Sequence, residues 1–413
     1  MAAALLAIGI AAGISPVART ASVRSCANEA ELGAKLGRVA YVRGSELHVL
    51  DLGSCRDRVL ARNAKPPVRF SPSGRWLAFG EAKVVPAAGG SIRAPLQAAG
   101  GAWAWSPRED RLAAVTREGG ILLGGPRLEP KRLRPDGWGA GSLAFAPDGT
   151  LAVSRSLLPR AGGSSYRQEI WTVRGPRLTP RLAFALRRGL GPPELATLSP
   201  DGRWVLFWLR AQNSNSLASD GLPLQAAPTT PAAAQRLALT LLYRDFLTWC
   251  DEQLVLAAGG DRYTTRGKRL VATRPAETGR GWRLRDLSRD PTLSWVSPAC
   301  SPNGGLVAAS AGRNYLEPRF GRESRSIWLL AADGSTRRRL TTPPNVATSD
   351  EAPWFTSDGQ VVLFWRTRAD GRGRLYGVRA GNGRTYGPLA DAGPAGNSYG
   401  HYSWPDAADW SPR

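Results

Sequence analysis

The chain has 413 residues, of which 42% are apolar, so it can bury a sizeable core and is not a disordered polyelectrolyte. Its 47 Gly and 32 Pro are spread along the length and its 15 Trp are numerous, which favours many short strands joined by turns over long helices. The formal charge of +22 raises a nucleic-acid reading. Against it, the basic residues are almost all Arg, with Lys only at 35, 65, 83, 131 and 268, and they are scattered. An anionic cell-envelope environment is the milder explanation of that charge.

The chain begins with an apolar stretch, Ala2 to Ile14, followed by small and polar residues. That length suits the core of a signal peptide and is short for a membrane span. Residues 1–25 are therefore read as a signal peptide or a retained N-terminal anchor, and 26–413 as one domain. Four cysteines allow three pairings. In an oxidising compartment, nearest-neighbour pairing predicts disulfides Cys26–Cys55 and Cys250–Cys300. A zinc site is excluded by spacing, since no CxxC pair occurs.

Three strands are predicted next, at 38–42, 46–50 and 58–61. A short motif then recurs: an aromatic or apolar residue, Ser-Pro, a small polar residue, Gly, and an apolar run. It appears at Phe70-Ser71-Pro72-Ser73-Gly74, Trp105-Ser106-Pro107, Phe145-Ala146-Pro147-Asp148-Gly149 and Leu198-Ser199-Pro200-Asp201-Gly202. Later copies are Cys300-Ser301-Pro302-Asn303-Gly304 and Phe355-Thr356-Ser357-Asp358-Gly359, with degenerate ones at Trp249-Cys250-Asp251-Glu252 and Asp409-Trp410-Ser411-Pro412. Pro presets a type I turn, Asp or Asn bonds its own backbone, and Gly takes the left-handed position. Each copy thus predicts a tight hairpin with a G1 bulge, joining two strands, A and B.

Two further strands follow in most repeats, as at 326–330 and 337–341, or 169–173 and 179–184. Four short strands per 35–55 residues is the pattern of a propeller blade. The first three strands lack a strand A, and the chain ends on a lone one near 407–411. Pairing these closes a ring without an exposed edge. The predicted fold is all-β, a single β-propeller of four-stranded blades. The blade count is eight, or seven if the copies near 71 and 106 share a blade.

These repeats resemble those of the TolB-type propellers, with IWLLAADGSTRRRLT (327–341) and LHVLDLGS (47–54) as close matches. The resemblance covers residues 38–413 and implies an extracytoplasmic interaction platform. No amino-terminal α/β domain of the TolB kind is evident ahead of the blades. The repeats also resemble the propeller of prolyl oligopeptidase-type peptidases, whose hydrolase domain carries a G-x-S-x-G elbow. Gly396-Asn397-Ser398-Tyr399-Gly400 matches that pattern but has too little chain after it for such a domain, and is read as a loop.

No catalytic constellation is legible. Of the two histidines, His48 alternates with apolar residues in a strand and is read as a surface or satisfied core residue. His401, in YGHYSW, is read as a packing or hydrogen-bonding residue. The acidic neighbours Asp251-Glu252 and Asp350-Glu351 point apart, and Asp148, Asp201 and Asp358 are turn formers. GGDRYTTRG (259–267) offers too few oxygen ligands for calcium. No cofactor is expected.

The loops joining strands B and C of blades four to seven (156–168, 210–221, 259–269 and 311–325) are long and polar and would share one rim. They supply the candidate ligand-binding residues Arg160, Tyr166, Arg210, Asn213, Arg262, Tyr263, Arg313, Tyr315 and Arg319. The expected function is a non-catalytic binding platform for an envelope protein or an anionic polymer. The alternative is a propeller hydrolase or lyase acting on a glycan, which would require His401 with Asp or Glu, or several carboxylates, around the channel.

Overall fold

In the computed structural model, residues 36–412 are described, apart from 98, 158–165, 175–178, 190–192, 210–217, 276–280, 316 and 318–323. They form a ring of eight antiparallel blades, seven with four strands and one with three. Blade 1 takes strands B to D from Arg38–Arg43, Glu46–Asp51 and Arg56–Arg62, and strand A from Ala408–Ser411. Val39 pairs with Trp410 and Tyr41 with Ala408, so the predicted closure of the ring is formed.

Blade 2 comprises Val68–Phe70, Trp76–Phe79 and Lys83–Pro86. The interval of 35 residues to the next motif leaves no room for a full fourth strand. A single bridge between Val84 and Arg93 stands in its place. The copies near 71 and 106 therefore build separate blades, and the count is eight.

The first strands of blades 3 to 8 are Ala99–Trp105, Ala140–Phe145, Glu194–Leu198, Leu247–Cys250, Leu293–Cys300 and Thr348–Phe355. Each except that of blade 6 is followed by the A–B turn that the motif encodes; Cys250 instead pairs with Gln253 across the two-residue turn Asp251-Glu252, with Asp251 at φ 53°. Gly74, Gly149, Gly202, Gly304 and Gly359 all have φ between 67° and 86°. Where the motif carries Ser or Thr the loop is one residue longer than the bulged turn expected, because the amides of Ser71 and Ser199 donate to the carbonyls of Trp76 and Trp204. At Ala146, whose amide donates to the Thr150 carbonyl, the expected length is formed.

The hydroxyl of the motif explains the added length. Ser199 Oγ accepts the Trp204 amide at 2.9 Å and donates to Asp201 at 2.6 Å, while Asp201 accepts the Arg203 amide at 2.9 Å. Thr356 and Asp358 repeat this arrangement, as do Ser301 and Asn303. Space matters at Gly304 as well as φ: a Cβ there would lie 2.1 Å from Asp251 of the preceding blade.

The core is distributed around the ring. Eight apolar clusters occupy the eight seams between blades. At the first seam, Val42, Leu47 and Val49 meet Val68, Leu77 and Phe79. Each such aliphatic side chain contributes about 1.5–3 kcal/mol by burial. Strand alternation supplies both faces of every blade, so each blade is apolar on two sides and must be sandwiched by its neighbours.

Cys250 and Cys300 end the A strands of blades 6 and 7 and form the predicted disulfide, with Cα atoms 5.4 Å apart. Cys55 has no disulfide partner among the described residues. Its expected partner Cys26 lies outside them, as does the predicted signal segment. Among the described residues no helix is long and apolar enough to cross a membrane.

Candidate functional site: a roofed central channel

Between blade 8 and the closing strand, the chain makes a hairpin, Asn397–Ser398 with His401–Tyr402, and a short helix, Trp404–Ala407. Tyr399 and Gly400 form its two-residue turn with φ of 52° and 86°, the primed geometry that suits a tight hairpin. This is the G-x-S-x-G match, and it is a loop as expected.

The segment crosses the mouth of the ring. On one side Arg69 of blade 2 donates to the Pro405 carbonyl and pairs with Asp406 at 3.1 Å. On the other, the Tyr399 carbonyl accepts the Thr264 amide of blade 6 at 3.0 Å. The Gly400 carbonyl accepts from Arg325 of blade 7 at 3.0 Å. Trp404 donates to Thr367 of blade 8 at 2.7 Å and stacks on Trp365 with centroids 4.3 Å apart. Blades 2 and 6 are opposite one another in a ring of eight, so the segment forms a roof over the channel.

Beneath the roof is a cavity of about 710 Å³, lined by A strands of blades 2 to 5, the turn leading into blade 6, and the roof itself. His401 Nε2 lies 3.0 and 3.1 Å from the carboxylate oxygens of Asp245, which also accepts from Ser297 at 2.8 Å. Burial would raise the Asp245 carboxyl, but the charge of His401 and hydrogen bonds from His401 and Ser297 outweigh it and hold the carboxyl below its ordinary range. The imidazole stacks on Tyr243, centroids 3.7 Å apart, so its plane is fixed. Its Nδ1 has no hydrogen-bond partner among the described residues.

Arg244, in the same turn as Asp245, lines the cavity with Glu194, Arg69 and Asp406. The residue is exposed to the cavity it lines, and desolvation by the surrounding blades holds its pKa below the ordinary value. Glu194 and Asp406 act on it only across space, and its guanidinium makes no hydrogen bond or ion pair with the described residues. An uncommitted guanidinium facing a cavity is a ready receptor for a carboxylate or phosphate.

The rim candidates divide. Arg160, Arg210, Asn213 and Arg319 lie outside the described residues, and Tyr166 opens strand Tyr166–Arg174 of blade 4. Arg262 holds Asp220 through two bonds of 2.7 Å and lies over the Tyr399 ring of the roof. Tyr263 meets the same ring edge-on. Arg313 lies over Tyr315, whose amide donates to the Thr265 carbonyl. These four residues thus cluster around the 259–268 loop and the roof.

That loop has a built-in cation. The ammonium of Lys268, buried by the loop, donates to the carbonyls of Gly260, Asp261, Tyr263 and Arg266 at 2.7–3.0 Å. Burial pushes its pKa down to about 8. The loop needs no calcium because the chain supplies the charge. His48 is a buried core histidine: its Nδ1 is bonded to Asp57 at 3.1 Å and its ring stacks on Tyr41, while its Nε2 lies 3.6 Å from Glu46 without a hydrogen bond among the described residues. Asp350 and Glu351 point apart, to Arg366 and Arg325 respectively.

Sequence reasoning missed Arg69, Glu194, Tyr243, Arg244, Asp245 and Asp406. A usable signal existed for Arg69 and Glu194, because residues of the strand preceding each Ser-Pro turn line the axis of a propeller.

The chain is an eight-bladed β-propeller with a roofed axial cavity. No protein-family model matches the sequence, and no curated protein matches it. Among solved structures it is similar to the dipeptidyl peptidase 4 of Porphyromonas gingivalis, with a TM-score of 0.58 and 9% identity over 87% of this chain and 58% of that one. A prolyl endopeptidase gives a TM-score of 0.50 at 16% identity over 85% of this chain, which spans about half (48%) of that enzyme. TolB of Acinetobacter baumannii gives 0.37 at 14% identity, covering 86% of this chain and 63% of that one. These likenesses are likenesses of fold.

Proposed function

We propose that this protein is an extracytoplasmic, non-catalytic binding platform that takes an anionic ligand in its roofed channel. The observation that carries the reading is Arg244, an exposed guanidinium in the axial cavity that makes no hydrogen bond or ion pair with the described residues. The Cys250–Cys300 disulfide supports an oxidising compartment. A glycan array presenting acidic and neutral oligosaccharides, read with the wild type and Arg244→Gln, tests it. Acidic glycans retained by the wild type should bind the variant at least about tenfold more weakly, as expected for loss of a charge-assisted pair. An unchanged profile would overturn the proposal.

One observation favours a second reading, a hydrolase or lyase acting on a glycan. His401 and Asp245 meet at the channel, and a carboxylate-oriented imidazole whose other nitrogen has no partner among the described residues is the form of a general base. Turnover of an acidic polysaccharide by the wild type that His401→Ala abolishes would establish this reading in place of the first.

A further inference from the structure

We propose that the flank of blade 8 holds a second anion site, separate from the channel, for a small ligand carrying two or more phosphate or carboxylate groups. It is a basin of about 670 Å³ lined by Arg43, Arg366, Arg368, Arg372 and Arg374, with Asp391 as its lining carboxylate. It shares no lining residue with the axial cavity.

The arrangement of the arginines is the argument. Strands Val361–Arg368 and Gly373–Arg379 pair so that Arg366 lies opposite Arg374. One step further, the Arg368 amide donates to the Arg372 carbonyl at 2.8 Å across the turn. Residues opposite one another, and those two apart, share a face of a sheet. Four guanidinium groups therefore stand as two successive like-charged cross-strand pairs, an arrangement that opposes folding.

Two of the four are committed. Arg366 holds the buried Asp350 at 2.7 and 2.9 Å and lies over Tyr376, and Arg374 pairs with Asp391 at 2.8 Å. Arg43 is only loosely engaged, 4.0 Å from Asp57 and 3.5 Å from His48. Arg368 and Arg372 are exposed, and their side chains make no hydrogen bond or ion pair with the described residues. The nearby Asp370 is occupied with the Arg372 amide. Three under-used guanidinium groups converge on one basin. Cross-strand neighbours stand about 5 Å apart, so a ligand engaging more than one needs more than one anionic group.

Calorimetric titration of the full chain at low salt with tripolyphosphate and with citrate tests the site. The wild type should bind at least one; tighter tripolyphosphate assigns phosphate chemistry, tighter citrate assigns carboxylate chemistry. Arg368→Ser/Arg372→Ser should weaken binding at least about tenfold. Arg274→Ser/Arg283→Ser removes the same charge from exposed positions elsewhere and should change it less than about twofold, the residue of screened long-range attraction. The blade 8 double variant should melt no lower than the wild type, since it relieves like-charge pairs. Binding of neither anion by the wild type, equal weakening in both double variants, or loss of binding in Arg244→Gln would each overturn the proposal. Only the last would join this site to the channel.

Discussion

The indole Nε1 of Trp410 donates a 2.7 Å hydrogen bond to the carbonyl of Leu36, joining residues 374 positions apart. Beside it, a Cβ on Gly37, whose φ is 76°, would lie 2.0 Å from the Ser411 carbonyl oxygen. The closing strand is therefore held by a side chain and admitted by a missing one. Trp410→Ala should lower stability by about 2 kcal/mol, less than a fully buried Trp because the ring is half-buried. Gly37→Ala should destabilise by a similar amount, and both effects are read from urea midpoints. A Gly37→Ala midpoint equal to the wild type would show that the closing strand can shift at no cost.

Arg325 and Glu351 form a buried ion pair at 2.6 Å, and the same guanidinium reaches Thr264 and the roof. Removing one partner strips the other buried charge of its ion pair, so Glu351→Gln and Arg325→Met should each cost about 3–5 kcal/mol. Hydrogen exchange should show added protection loss at the Gly400 hairpin in Arg325→Met, beyond that in Glu351→Gln.

Lys268 donates to four loop carbonyls, so Lys268→Met should destabilise by about 3 kcal/mol as those carbonyls lose their common partner. Loss confined to amides 259–268 in hydrogen exchange would identify the effect as local. A variant as stable as the wild type would mean the loop holds its shape without the ammonium.

The cystine between blades 6 and 7 closes a loop of 50 residues. On loop-closure entropy its removal by Cys250→Ser/Cys300→Ser should cost about 4 kcal/mol, and thiol reductant should reproduce the shift in the wild type but not in the variant.

The pH dependence follows from Asp245. Its carboxyl is held below the ordinary range in the folded chain, so the unfolded chain binds that proton first. The contribution is fully present above the ordinary carboxylate range and is lost as pH falls through the lower, folded value. The melting temperature of the wild type should therefore fall more steeply in acid than that of Asp245→Asn. Parallel curves would show that the pair with His401 adds nothing to stability.

The architecture was legible because it is local chemistry repeated. Each Ser-Pro-Asp-Gly copy encodes its turn through bonds spanning five residues, and the register of the copies placed Cys250 and Cys300 at equivalent positions. The closing strand was legible from a motif without its sequel. What escaped was whatever depends on distant segments meeting. Arg244 and Asp245 carry no pattern that pairs them with His401, and they meet it, Arg69 and Glu194 only when the ring is drawn. The third strand of blade 2 gains a single bridge because the short spacing at that repeat leaves no chain for more. The loop at 259–267 was read as lacking ligands for a metal, while its cation was the next residue.

Closure by the tail also imposes an order on assembly. A chain made from the amino end releases Arg38–Arg43 some 370 residues before its partner strand. Until residue 411 emerges, that strand offers an open row of backbone groups to any passing β-segment, the hazard of every unpaired edge. Its flanking Arg38 and Arg43 put like charges at both ends of the open edge, so two nascent chains meeting there repel before they can pair.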